Sequence, residues 1–148
     1  MPVFEANINL KRPLEEVFEF FQRPANLPRV SPPELHLTLV EGPDLLQLGS
    51  RIVVLGRRWG IGQRIASEVT AFEAKVMFVD EQREGPFRKF SHTHRFAALP
   101  EGGTQVRDRI EYEPPGGALG FLLTAGFIER DLRWIFEYRS GKLRELLG

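Results

Sequence analysis

From Val3 to Leu10 the chain alternates loosely between apolar and polar residues, the period of a half-buried strand. The period then lengthens. Leu14, Val17, Phe18 and Phe21 mark the apolar stripe of an amphipathic helix to about residue 23. Pro13 opens it, where a missing N–H has no partner to lose, and Glu15 and Glu16 favour the first turn of the helix dipole. Pro24, Pro28, Pro32 and Pro33 forbid a long helix after it, so residues 24–34 are predicted as a short helical turn and a loop. From Glu34 the period returns to two, and strands are predicted at 34–40, 48–58, 63–72, 75–83, 87–98 and 104–113. Trp59-Gly60-Ile61-Gly62, Glu84-Gly85-Pro86 and Pro100-Glu101-Gly102-Gly103 supply hairpin connections. Pro114-Pro115-Gly116-Gly117 ends the sheet. A long helix follows over 127–147, with Ile128, Leu132, Ile135, Leu143 and Leu146 on its stripe and Gly141 expected to weaken or bend it. The fold class is therefore α+β: a curved antiparallel sheet of six to seven strands wrapped around a C-terminal helix, with two short helices after the first strand.

The strand at 87–98 stands apart from the others. Phe90, His92, His94 and Phe96 share one face, and Lys89, Ser91, Thr93 and Arg95 the other. The first face belongs inside, yet it carries two imidazoles, which suggests a cavity wall rather than a solid core. In the next strand Val106, Asp108, Ile110 and Tyr112 face inward. A tight turn at 84–86 would set Gln82 opposite Arg88, Asp80 opposite Phe90 and Phe78 opposite His92. A three-residue connection after it would set Asp108 opposite His94 and Ile110 opposite His92. Asp80, Gln82, His92, His94, Asp108 and Tyr112 would then all point to the concave side.

Three readings of these groups stand open. A histidine–aspartate pair in a cavity wall can be a buried pair satisfying its own hydrogen bonds. It can also be an acid/base device, with His94 polarised by Asp108 and Tyr112 or Arg139 stabilising a developing enolate. His92-x-His94 is also a metal-ligand spacing, but zinc needs a third ligand such as Asp80 or Asp108, and no metal is assigned.

Composition narrows the class of function. At 148 residues, with twelve Phe, two Trp and two Tyr, the chain is expected to form one domain, 1–148, with a heavy aromatic load. Twenty basic residues balance twenty acidic ones, without the basic excess of a nucleic-acid binder. There is no cysteine, which removes disulfides, thiolate metal sites and cysteine nucleophiles. No apolar run reaches the length of a membrane span and no secretory pattern opens the chain, so a cytoplasmic protein without stable membrane insertion is expected. Gly60-x-Gly62 lacks the rest of a dinucleotide fingerprint, and no P-loop, Gly-x-Ser-x-Gly or His-Glu-x-x-His occurs, so no cofactor is expected.

Six segments carry a family resemblance: P-L-E-E-V-F at 13–18, N-L-P…S-P-P at 26–33, F-V-D-E-Q…G-P-F at 78–87, H-T-H-R-F at 92–96, G-G-T-Q-V-R-D at 102–108 and L-R-W-I-F-E-Y-R at 132–139. In this order they resemble the START-related, polyketide cyclase/dehydratase-like superfamily with the helix-grip fold, and more narrowly its small bacterial members. The resemblance implies a cavity between sheet and helix for a small hydrophobic or aromatic molecule; the superfamily includes carriers, cyclases, receptors and partner-binding proteins. Carrier or sensor is the favoured reading. A cyclase/dehydratase-type enzyme using His94 and Asp108 is the alternative, and a partner-binding module presenting Arg57–Trp59 and Phe121–Leu123 is the third. The expected ligand-binding residues are Phe78, Asp80, Gln82, Phe90, His92, His94, Phe96, Asp108, Ile110, Tyr112, Phe121, Ile128, Leu132, Ile135 and Arg139. Arg139 interrupts the apolar stripe and should meet a carboxylate, an anionic head group or solvent at the sheet edge. Residues 115–127, rich in glycine around Phe121, Leu122 and Leu123, are read as a lid over the cavity mouth or as a homodimer contact.

Overall fold

Seven antiparallel strands form one sheet in the computed structural model, which describes residues 1–148. The strands are β1 (Val3–Leu10), β2 (Thr38–Glu41), β3 (Arg51–Arg58), β4 (Ile61–Glu73), β5 (Met77–Glu84), β6 (Lys89–Ala98) and β7 (Thr104–Glu113), in spatial order β1-β7-β6-β5-β4-β3-β2. Between β1 and β2 lie helix α1 (Leu14–Gln22) and three short 3-10 turns, at Pro24–Asn26, Pro28–Val30 and Pro33–Leu35. After β7 come the short α2 (Gly117–Leu122) and the 23-residue α3 (Ala125–Leu147).

The expected architecture is present, with particular departures. The short helices expected after β1 are one α-helix and a run of 3-10 turns; the four prolines prevent a longer helix there, because each ring removes the N–H that a continued helix would need. The predicted strand at 34–40 shrinks to 38–41. Pro33 starts a 3-10 turn there and His36 takes a left-handed conformation (φ 48°), which no strand accommodates. Trp59 and Gly60, with φ 55° and 74°, make a two-residue turn whose twist matches the flanking strands. Gly141 does not interrupt α3.

Two apolar clusters fill the concave side. One joins α1 to the far end of α3 through Val17, Phe18, Phe78, Phe96, Val106 and Leu143. The other joins β1 and β7 to the beginning of α3 through Phe4, Ile110, Tyr112, Ile128, Leu132 and Phe136. Thr124 caps α3, its hydroxyl accepting from the Phe127 amide at 3.3 Å, and the Tyr112 hydroxyl donates to the Ala125 carbonyl at 3.2 Å. At the other end Gly103 lies so close to β1 that a Cβ would stand 2.5 Å from the Leu10 carbonyl oxygen. Gly103→Ala is therefore expected to cost about 1–3 kcal/mol of stability, as overpacking typically does. Chemical denaturation checks this; an unchanged midpoint would mean that the β6–β7 turn yields freely.

Candidate functional site

Between the two clusters the sheet and α3 do not close completely. A cavity of about 310 Å³ remains, at the lower end of the roughly 300–1,000 Å³ typical of small-molecule pockets. Its floor is the inward face of β5 and β6, its roof the stripe Ile128, Leu132, Ile135, Phe136 and Arg139 of α3. Its front wall comes from β3 and β4, where Ile52 pairs with Ser67 and Val54 with Ile65, and from Leu27, Val30, Leu35 and Leu37 before β2.

A buried polar cluster lies on the floor of this mainly apolar cavity. His92 Nε2 lies 2.7 Å from Asp108 Oδ1, and His94 Nε2 lies 2.8 Å from Asp80 Oδ2. His94 Nδ1 stands 3.4 Å from Asp108 Oδ1, without the geometry of a hydrogen bond. The two imidazoles stack with centroids 3.7 Å apart, and Phe78 stacks on the other face of His94 at 4.2 Å. Strand alternation builds this group. His92 and His94 are two apart on β6, Asp108 lies directly across from His94 on β7, and Asp80 directly across from His92 on β5. Each histidine therefore bonds the carboxylate diagonal to it.

Electrostatics separates the two histidines. Burial pushes His92 down, and the neighbouring charge of His94 adds to it, outweighing the Asp108 hydrogen bond. Burial also opposes protonation of His94, but the two carboxylates flanking it prevail and raise its pKa. Burial would raise Asp108 and Asp80, yet contact with the histidines holds both carboxyls below their ordinary range. His94 thus holds its proton to higher pH than His92 does. With that one ring protonated, two carboxylates, one imidazolium and the buried Arg139 guanidinium sum to zero charge.

The consequence for stability has a definite sign. The raised pKa of His94 contributes stability that is complete below the unfolded value of about 6.5 and is lost as pH climbs through the folded one. The depressed pKa of His92 contributes stability present above about 6.5 and lost as pH falls through its folded value. Resolved by NMR, the two rings are expected to titrate on opposite sides of the ordinary histidine pKa. Coincident titration would contradict the separation.

Of the fifteen residues expected at the site, Phe78, Asp80, Phe90, His92, His94, Ile110, Ile128, Leu132, Ile135 and Arg139 line the cavity. Five do not. The Gln82 side-chain amide donates to the Phe87 carbonyl at 2.7 Å and closes the β5–β6 connection. Phe96 is core, edge-on to Phe18 at 4.9 Å and Phe21 at 5.3 Å. Asp108 lies outside the lining, held by His92, and Tyr112 is packed within the cluster at the start of α3. Phe121 is 87% exposed, as is Leu122 at 73%, whereas Leu123 is buried. The β5–β6 register also differs from the expected one by two residues: Phe78 faces His94 and Asp80 faces His92. The β5–β6 connection is longer than a tight turn; a shift of two keeps every side chain on its face but changes its partner.

The cavity mouth holds residues expected elsewhere. The Arg58 guanidinium grips Asp131 of α3, with Nε 3.0 and 3.1 Å from the two carboxylate oxygens, and lies over Trp134 at 4.6 Å. Trp59 packs against Phe127 at 6.1 Å. The β3–β4 hairpin tip is thus fastened to the helix. The alternation of Ile52 with Val54 and of Ile65 with Ser67 was the sequence signal that could have revealed the front wall.

Asp80, His92 and His94 each offer a ligand atom within 4.8 Å of the others, a spacing open to a metal ion. A cation there would have to break both histidine–aspartate bonds and share the neighbourhood of Arg139, whose charge both carboxylates already feel. The donor set suits proton sharing better.

This arrangement of sheet, gripping helix and intervening cavity coincides with a family match over the whole chain: the model for polyketide cyclase / dehydrase and lipid transport proteins matches residues 1–148. The chain belongs to this family. Its fold is that of solved structures of low sequence identity. A Chromobacterium violaceum protein superposes with TM-score 0.77 at 13% identity, covering 99% of this chain and 98% of its own. A START superfamily protein from Mycobacterium smegmatis gives 0.73 at 11%, with coverages of 97% and 98%. Ginseng major latex-like protein 151 from Panax ginseng gives 0.70 at 14%, with 99% and 97%. No curated protein matches the sequence. No helix is long and apolar enough to cross a membrane. Family membership carries a ligand-binding or cyclase-like fold and leaves the ligand unspecified.

Proposed function

We propose that the protein binds a small, mainly apolar or aromatic molecule between sheet and α3, as a carrier or sensor. One observation carries this reading: a cavity of about 310 Å³ between sheet and α3, walled by Phe78, Phe90, Ile110, Leu132, Ile135 and Phe136. Apolar side chains that close on nothing forgo dispersion contacts that a ligand would restore. Mass spectrometry of gently purified protein, under native and then denaturing conditions, tests it. The expected result is a defined small molecule lost on denaturation, or, from ligand-free protein, saturable binding of a neutral apolar dye such as Nile red. Identical masses together with no dye binding would remove the carrier reading.

A second reading rests on the histidine pair. Neighbouring titratable groups whose environments drive their pKa values apart are the usual sign of an acid and a base. Here His92, with its pKa lowered, and His94, with its pKa raised and its ring held by Asp80, both reach the cavity. In this reading the near partner of His94 is Asp80, and Asp108 acts through His92. The test is turnover of a polyketide-like cyclisation substrate. His94→Gln should abolish it while dye binding persists; retained turnover would rule the acid/base role out.

The partner-binding reading draws less support. Arg58 and Trp59 are engaged with α3 and the cavity, which leaves Phe121 and Leu122 as the exposed apolar pair.

A further inference from the structure

We propose that Arg139 is the head-group site of this cavity, and that the ligand is an amphipathic monocarboxylate whose anion sits on the guanidinium while its chain lies along α3. The inference rests on the cavity being a ligand site.

Arg139 is only 9% exposed, yet it makes no ion pair and no side-chain hydrogen bond, and its Nε is buried without an acceptor. Burial depresses its pKa, opposed only by the more distant charges of Asp108 and Asp80. A guanidinium is a donor without acceptor capacity and does not deprotonate in proteins, so its empty positions call for an anion. The chain supplies none. Asp108 and Asp80 are turned toward the histidines at 2.7 and 2.8 Å. Phe136 covers one face of the guanidinium, 4.7 Å from its centre. A ring stacked in this way leaves the N–H edge free, and that edge matches a planar carboxylate in bidentate fashion.

The surroundings select the ligand further. From Arg139 back to Ile128 the roof of the cavity is Phe136, Ile135 and Leu132, eleven residues of helix or roughly 16 Å at the α-helical rise. One anion-binding end on an apolar corridor describes an amphiphile. A single guanidinium without an ion pair, set near the carboxylates Asp80 and Asp108, suits a monoanion over a dianion, because each further charge on the ligand meets more repulsion from them; Arg58, held against α3, is already bound to Asp131. His94, whose Nδ1 is also buried without a hydrogen-bond partner, adds positive charge to the same wall whenever its ring is protonated.

Displacement of Nile red by decanoate and by decanol, at neutral pH where the acid is ionised, tests the inference. The two share a chain and differ in the head group. Decanoate is expected to bind about ten- to a hundredfold tighter, the range of a charge-assisted hydrogen-bonded contact. Arg139→Gln should abolish that preference and leave decanol where it was; Arg139→Lys, which keeps the charge but loses the fork, should retain part of it. Equal affinities in the unmodified protein would overturn the carboxylate assignment while leaving the cavity reading intact. A preference that survives Arg139→Gln would overturn Arg139 as its origin. Failure of both compounds, and of the dye, would instead remove the cavity reading. The comparison on the unmodified protein decides even where a variant fails to fold.

Discussion

Replacement of Asp108 by alanine is expected to lower the unfolding free energy by about 3–5 kcal/mol, the usual cost of removing one partner from a buried charged pair. Asp108 is 6% exposed and bonds His92 at 2.7 Å, with His94 at 3.4 Å. Its loss strands a buried imidazole N–H and removes one of the two carboxylates that raise the pKa of His94. The protein can answer by releasing the His94 proton, so the pH dependence changes with the stability. The loss of stability on raising pH through the His94 pKa should largely vanish, because that contribution depends on the raised value. Asp108→Asn keeps an acceptor and the shape and should cost less. Urea unfolding at several pH values measures both effects. A variant within about 0.5 kcal/mol of the parent, as for an ordinary surface substitution, would contradict the reading of this cluster as a coupled buried unit.

The second large effect concerns binding. Leu132→Trp should weaken binding of a neutral apolar ligand at least tenfold while the fold persists. Leu132 lies in the cavity roof, and the added ring has space to enter only because the cavity is there. In a filled core the same change would instead cost about 1–3 kcal/mol through overpacking. Leu146→Trp is the control: on the same helix but 36% exposed and outside the cavity, it should leave binding unchanged. Equal loss in both would locate the ligand elsewhere, with the exposed Phe121–Leu122 pair of α2 as the first place to look.

Much of the frame was legible because alternation along a strand fixes which face is buried. β7 spans 104–113 as the alternation of Val106, Asp108, Ile110 and Tyr112 implied, and its pairing with β6 follows from the short Gly102–Gly103 connection. The pairing of β5 with β6 was not legible in the same way. Its connection is held by the Gln82 amide on the Phe87 carbonyl, a tertiary detail without a sequence period. That difference of two residues redistributes the chemistry: the histidine expected beside Asp108 bonds Asp80, and its neighbour takes Asp108. The prolines of 24–33 announced a break but not that Leu27 and Val30 would wall the cavity, since periodicity says nothing about where a loop folds back. Arg139 was visible as a cation on an apolar stripe. Its lack of a partner belongs to the three-dimensional arrangement alone.

A crystal structure of the protein with decanoate bound tests the central claim most directly. The account predicts continuous ligand density inside the cavity, the carboxylate against Arg139 and the chain between His94 and Leu132, with the histidine–aspartate pairs retained. Density confined to the outer surface, or an interior closed by rearranged side chains with no ligand in it, would contradict it.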